Sequence, residues 1–258
     1  MKKANILKSK LANGETVIGT WSSLASANVV NVLGTTALDF VIIDLEHGSM
    51  SFETVENMVR AAEASGISPI VRVWDDQEQT LLRALESGTR SVMIPHISTV
   101  AKAEKVAKCC KYFPEGNRGL SPYTRVHEFT HENIAESLQQ ENKETMVGIL
   151  VEGKEGLSNL SEIVKVKGID LIYLGLFDIC QSVGLPGQVN HPKVLEEVAR
   201  CKDLIQSNGI AAGSMSTNIE YIKMLQDLGY NFIAYLNDAA ALKNHFRDIL
   251  SQLGRTSV

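Results

Sequence analysis

Eight short apolar or β-branched runs recur between Val17 and the C-terminus, separated by segments whose apolar positions repeat with a helical period. The runs cover 17–22, 40–46, 69–74, 91–97, 146–152, 171–178, 210–216 and 232–238. They are hydrophobic throughout instead of alternating, which is the pattern of parallel strands buried on both faces. Helical patterns fill 51–65, 77–87, 100–111, 192–207 and 218–228. Gly66, Gly88, Gly209 and Gly229 follow as stops, because a left-handed cap favours glycine. Ser51 and the Asn190-His191-Pro192 stretch read as helix starts.

A chain that alternates strand and helix can close as a barrel or stay open as a doubly wound sheet. Eight units predict closure into a single TIM (β/α)8 barrel over 1–258, with an extra N-terminal helix. No GxGxxG follows the first strand and no GxxxxGK[ST] occurs, so the nucleotide-binding fingerprints of the open sheet are missing. The least regular stretch, 113–144, opens as the Pro/Gly loop Phe113-Pro114-Glu115-Gly116. An elaborated loop of that length is expected near the site or at a subunit contact.

Composition narrows the function. The chain is 44% hydrophobic and 21% charged, enough for one large core. A net charge of −5 and the lack of a Lys/Arg block argue against nucleic acid as a partner. No apolar run approaches a membrane span and no leader pattern precedes the first strand, so a cytoplasmic protein is expected. Cys109, Cys110, Cys180 and Cys201 show no CxxC spacing, which fits reduced thiols.

Chemistry in such barrels lies at the C-terminal ends of the strands. There the chain places Asp44-Leu45-Glu46-His47-Gly48, Arg72, His96, Glu152 and Asp178. Glu152 and Asp178 end consecutive predicted strands, a carboxylate pair that suits Mg²⁺ or a similar hard cation and leaves room for the oxygens of a 2-oxo acid. Their alternative reading is as helix caps or salt-bridge partners. His47 is a candidate general base, with Asp44 expected to orient and charge its imidazole. Arg72 inside a parallel strand requires an anion, either a substrate carboxylate or the metal carboxylates, unless it sits in an internal salt bridge.

These motifs, together with Val71-Arg72, 112–119, Val151-Glu152 and Gly175-Leu176-Phe177-Asp178-Ile179, resemble the HpcH/HpaI class II aldolases over nearly the whole chain. The resemblance implies a homo-oligomer, a hexamer built as a trimer of dimers or a dimer, that exchanges its last helix between neighbours. It implies that Glu152 and Asp178 ligate a divalent metal, that Arg72 touches the keto oxygen, and that His47 with Asp44 handles protons. Gly175, Leu176, Phe177 and Asp178 would hold the substrate, with backbone amides around Phe177 and Asp178 on its carboxylate.

Three positions depart from the family pattern: Leu150 where Gln is usual, His96 where an apolar residue follows Pro95, and Cys180 where Ser is usual. Losing a polar contact while gaining an imidazole makes the chain resemble the citrate synthases of siderophore biosynthesis within that family. That branch implies condensation of oxaloacetate with acetyl-CoA as co-substrate, His96 or His47 removing the thioester α-proton. An ordinary metal-dependent 4-hydroxy-2-oxo acid aldolase releasing pyruvate, a citrate-lyase β-type enzyme, and a catalytically silent binding barrel are the rival expectations.

Overall fold

A computed structural model describes residues 4–255. Its strands are β1 (Val17–Ser22), β2 (Phe40–Asp44), β3 (Ser68–Arg72), β4 (Ser91–Ile94), β5 (Met146–Val151), β6 (Leu171–Leu174), β7 (Ala211–Ser216) and β8 (Phe232–Asn237). All neighbours are parallel and β8 pairs with β1, closing an eight-stranded barrel in sequence order. The helices are α1 (Ile6–Ala12), α2 (Ala27–Gly34), α3 (Phe52–Ser65), α4 (Glu78–Glu86), α5 (Val100–Cys109) and α6 (Ile134–Glu144), then α7 (Gly153–Ile163), α8 (Leu176–Ser182), α9 (Pro192–Gln206), α10 (Ile219–Asp227) and α11 (Asp238–Gln252). The fold is the TIM (β/α)8 barrel.

Local chemistry explains the boundaries. Ser51 accepts from the Thr54 amide at the start of α3, and Gly66 ends that helix at φ 81°. His191 caps α9 ahead of Pro192. The predicted strands run past the observed ends on β2, β3, β4 and β6, because the buried apolar residues beyond those ends belong to loops or to the next helix.

Two apolar layers hold the barrel. The outer one packs strands against helices through side chains such as Ile43, Val71, Val92 and Ile149. The inner one fills the barrel, where Phe40 and Phe232 stack with centroids 4.1 Å apart. Gly19 is required beside them, since a Cβ there would lie 2.3 Å from the Phe40 ring. Leu7 and Leu11 of α1 join the inner layer, each burial contributing roughly 1.5–3 kcal/mol. Asn5 fixes that helix by donating to the Glu144 carbonyl and to Ser91 Oγ.

The irregular stretch 113–144 follows a helix and precedes β5, so within the chain it belongs to the face opposite the catalytic rim. Arg118 pairs there with Glu86, and Arg125 with Glu63 and the Ser87 carbonyl. The expectation that this loop lies near the site of its own chain is therefore corrected. Among the described residues no helix is long and apolar enough to cross a membrane.

Candidate active site

Five strand ends bring charged side chains to one rim. Asp44 closes β2 and Arg72 closes β3, and the two are Cα partners in the β2–β3 register. Both are buried, and the guanidinium grips the carboxylate in bidentate fashion, Nε to Oδ1 at 2.8 Å and Nη2 to Oδ2 at 2.5 Å. Its third nitrogen, Nη1, lies 2.9 Å from Glu46 Oε2. The face of the guanidinium rests on Trp21 of β1, 4.4 Å from the ring centroid. The anions that justify Arg72 inside the barrel are thus Asp44 and Glu46, and the expected pairing with the metal carboxylates is corrected.

Glu46 also reaches across the mouth. Its Oε1 accepts from His96 Nε2 at 3.0 Å, and His96 Nδ1 lies 3.9 Å from Glu152 Oε1. His96 sits two residues past β4 with a left-handed backbone, φ 58°, and an exposed ring. A left-handed histidine is strained relative to glycine, and such positions collect at functional sites. The ends of β2, β3, β4 and β5 are in this way joined through Arg72, Glu46, His96 and Glu152.

His47 is exposed at the same rim. Asp44 contacts it through the backbone amide at 3.3 Å, and Asp44 Oδ1 also accepts from the Glu46 amide. The expected orientation of the His47 imidazole by Asp44 is corrected, because both carboxylate oxygens are committed to Arg72. Among the described residues the His47 ring has no hydrogen-bond partner, which leaves it available to a substrate.

Glu152 follows β5 and Asp178 stands in the first turn of α8, four residues past the end of β6; the predicted sixth strand ran too far. β5 and β6 are neighbours, with Val151 opposite Leu174. Glu152 occupies the N-cap position of α7 without capping it, and accepts instead from the His96 amide at 3.5 Å. Asp178 folds back over Gly175, where a Cβ would meet its Oδ2 at 2.5 Å. Neither carboxylate is spent as a helix cap. Among the described residues no cluster of three or more His, Cys, Asp or Glu side chains could hold a metal.

The HpcH/HpaI aldolase/citrate lyase family profile matches residues 17–244, a span that contains every rim residue described above. The chain belongs to this family. It is similar to a hydroxypyruvate/pyruvate aldolase of Roseobacter denitrificans, 29% identical over 96% of each chain. Among solved structures it resembles an HpcH/HpaI aldolase/citrate lyase family protein of Burkholderia cenocepacia, with TM-score 0.90 and 27% identity over 97% of this chain and 100% of the other. It also resembles the citrate synthase SbnG, with TM-score 0.86 and 28% identity over 96% and 97% of the two chains. As a member of this HpcH/HpaI family the protein is an enzyme of carbon–carbon bond chemistry.

Two rim residues of this HpcH/HpaI protein escape a sequence reading. Glu46 lies inside the Asp44–Gly48 motif, yet only its position opposite both Arg72 and His96 reveals its work. Trp21 looks like any aromatic in a buried strand, and its contact with the guanidinium has no sequence signal.

Proposed function

We propose that this chain is a divalent-metal-assisted aldolase that cleaves the C3–C4 bond of a 4-hydroxy-2-oxo acid to release pyruvate, and runs the reverse addition. The observation that carries the reading is the buried guanidinium of Arg72, held in place by Asp44 and Glu46 on the same rim as Glu152, Asp178 and the exposed His47 imidazole. The similarity to a hydroxypyruvate/pyruvate aldolase supports the same substrate class.

The pair Glu152 and Asp178 fits a hard cation by its donor chemistry, since both are carboxylates and neither caps its helix. A Mg²⁺ or similar ion there would polarise the C2 carbonyl. Water and substrate oxygens would complete its shell. In cleavage, a base at the rim takes the proton of the C4 hydroxyl as the C3–C4 bond breaks and the aldehyde leaves. His47, exposed at the rim, would be that base. The electron pair moves toward the C2 oxygen, where Arg72 supplies fixed positive charge. Backbone amides at Phe177 and Asp178 would hold the substrate carboxylate, beside Gly175 and Leu176. C3 is then reprotonated to give pyruvate.

The test is an assay of pyruvate release from a 4-hydroxy-2-oxo diacid, with and without chelator. Release that collapses with EDTA and returns with Mg²⁺ or Mn²⁺ supports the reading. No release with any such substrate sinks it. A second reading, citrate synthesis from oxaloacetate and acetyl-CoA, is favoured by His96, whose ring bridges toward both Glu46 and Glu152, and by the similarity to SbnG. Free thiol released from acetyl-CoA in the presence of oxaloacetate would select that reading over the aldolase.

Assembly through the last helix belongs to the same proposal. Leu242, Phe246, Ile249 and Leu250 line one face of α11, Leu253 continues it just past the helix end, and all are exposed. An apolar stripe of this kind suits exchange against a neighbouring copy. Light scattering of the native chain against Leu250→Glu reads the outcome directly, and a native monomer would remove the proposal.

A further inference from the structure

One ring away from the Arg72 guanidinium, the barrel interior contains two polar atoms that the fold does not use. Trp21 Nε1 and Tyr173 Oη are buried, and among the described residues neither has a partner in hydrogen-bonding geometry, the indole N–H only lying beside the phenol oxygen. The two rings meet edge to face, with centroids 5.7 Å apart and planes at 87°. Trp21 is the ring on which Arg72 rests. Buried polar atoms are paired in the great majority of cases, so an orphaned pair beside a fixed cation calls for an explanation.

Packing does not supply one. Tyr173 stands between Leu150 and Gly213 in the strand register and lies edge-on to Phe232. A Cβ at Gly213 would fall 2.9 Å from its Cδ2, so the barrel makes room for the ring. A phenylalanine would fill the same space and leave no hydroxyl to desolvate. Burial drives the Tyr173 phenol far above its usual range, against smaller opposing effects of the Trp21 N–H beside its oxygen and of the Arg72 charge, so the hydroxyl stays protonated and its proton is left to donate at neutral pH. A donor beside a guanidinium recognises an anionic or strongly polarised oxygen.

We propose that Tyr173 is a substrate-binding residue whose hydroxyl, with the Trp21 indole N–H beside it, donates to an oxygen of the 2-oxo acid bound against Arg72. The assignment rests on the 2-oxo acid reading above. In that role Tyr173 sets preference for substrates with an oxygen at the inner end of the site, and its orphaned hydroxyl is satisfied only in the complex.

The experiment measures exchange of the pyruvate methyl protons for deuterium by NMR in the presence of Mn²⁺, for the wild type, Tyr173→Phe and Trp21→Phe, with thermal unfolding of each protein in parallel. Tyr173→Phe is expected to raise KM for pyruvate by about 10- to 100-fold, the effect of removing a hydrogen bond to a charged group, with kcat far less changed. Its melting temperature should stay level or rise, since an unsatisfied buried hydroxyl is gone. Trp21→Phe should shift KM in the same direction. If the wild type exchanges and Tyr173→Phe has the same KM, the Tyr173 assignment is overturned while the aldolase reading stands. If the wild type itself neither exchanges nor turns over pyruvate, both fall together.

Discussion

His96 reaches Glu46 across the mouth of the barrel, Nε2 to Oε1 at 3.0 Å, from a backbone turned into the left-handed region at φ 58°. The same glutamate uses its other oxygen to hold Arg72 at 2.9 Å. One carboxylate therefore positions a guanidinium and an imidazole at once, and a change to it perturbs both.

Glu46→Gln tests this coupling. The amide keeps the size but removes the charge that both partners face, so kcat/KM should fall by roughly 10- to 100-fold. His96→Ala should cost less, and the double variant should lose less than the sum of the two free-energy changes, because both act through one contact. Steady-state rates for the four proteins complete the cycle. Full additivity would show that the Glu46–His96 contact is idle in turnover.

The backbone of His96 makes a separate prediction. A non-glycine residue in the left-handed region costs roughly 1–2 kcal/mol, a cost glycine does not bear. His96→Gly should therefore be at least as stable as His96→Ala, even though glycine loosens the unfolded chain. Urea unfolding of the pair decides it, and an alanine variant clearly more stable than the glycine variant would mean that the turn relaxes when the imidazole is removed. Both should lose activity alike, separating the strain from the ring's chemistry.

Asp44 and Arg72 bear on stability. Their side chains are 7% and 10% exposed, and breaking a buried pair by removing one partner costs about 3–5 kcal/mol because the other charge stays behind. Asp44→Asn leaves Arg72 with Glu46, so a loss toward the low end of that range is expected from chemical denaturation. A neutral result would imply that Glu46 alone compensates the guanidinium.

The barrel was legible in the sequence because parallel strands buried on both faces read as unbroken apolar runs, and all eight appear. Their ends were less legible. Ile97 lies past β4 yet is buried, with its amide bonded to the Leu150 carbonyl, and Leu176 and Ile179 extend the apolar run of β6 although they belong to α8. The rim residues were legible as polar side chains closing apolar runs. Their pairing was not, since the contact of Asp44 with Arg72 depends on the β2–β3 register, which no local pattern encodes. Sequence adjacency favoured Asp44 with His47, and the bidentate geometry of arginine won instead.

The N-terminal side of the barrel supplies a pH signature distinct from the active site. Lys111 is buried, and its ammonium donates to the Asn142 and Thr145 carbonyls at 2.5 and 2.7 Å. Burial, with the charge of Lys8 adding to it, lowers its pKa to about 8 from the ordinary 10.5. Between those two values this lysine is protonated more in the unfolded chain than in the folded one, so its own contribution to stability rises with pH from about 8 upward. Burial acts oppositely on Cys110 and Cys201, raising their thiols from 9 to about 12, so above pH 9 the folded chain holds the extra protons and stability turns down. Unfolded thiols begin to ionise between pH 8 and 9 as well, and Cys109 and Cys180 are raised with them, so the Lys111 contribution is read as a difference between two proteins, with a slope that cannot exceed about 1.4 kcal/mol per pH unit. Urea unfolding of the wild type and of Lys111→Met across this interval should show the wild type gaining stability relative to the variant as pH rises, whatever the variant's absolute stability. A difference between the two proteins that stays constant from pH 8 to 9 would mean that the Lys111 ammonium keeps its charge at no penalty inside the fold.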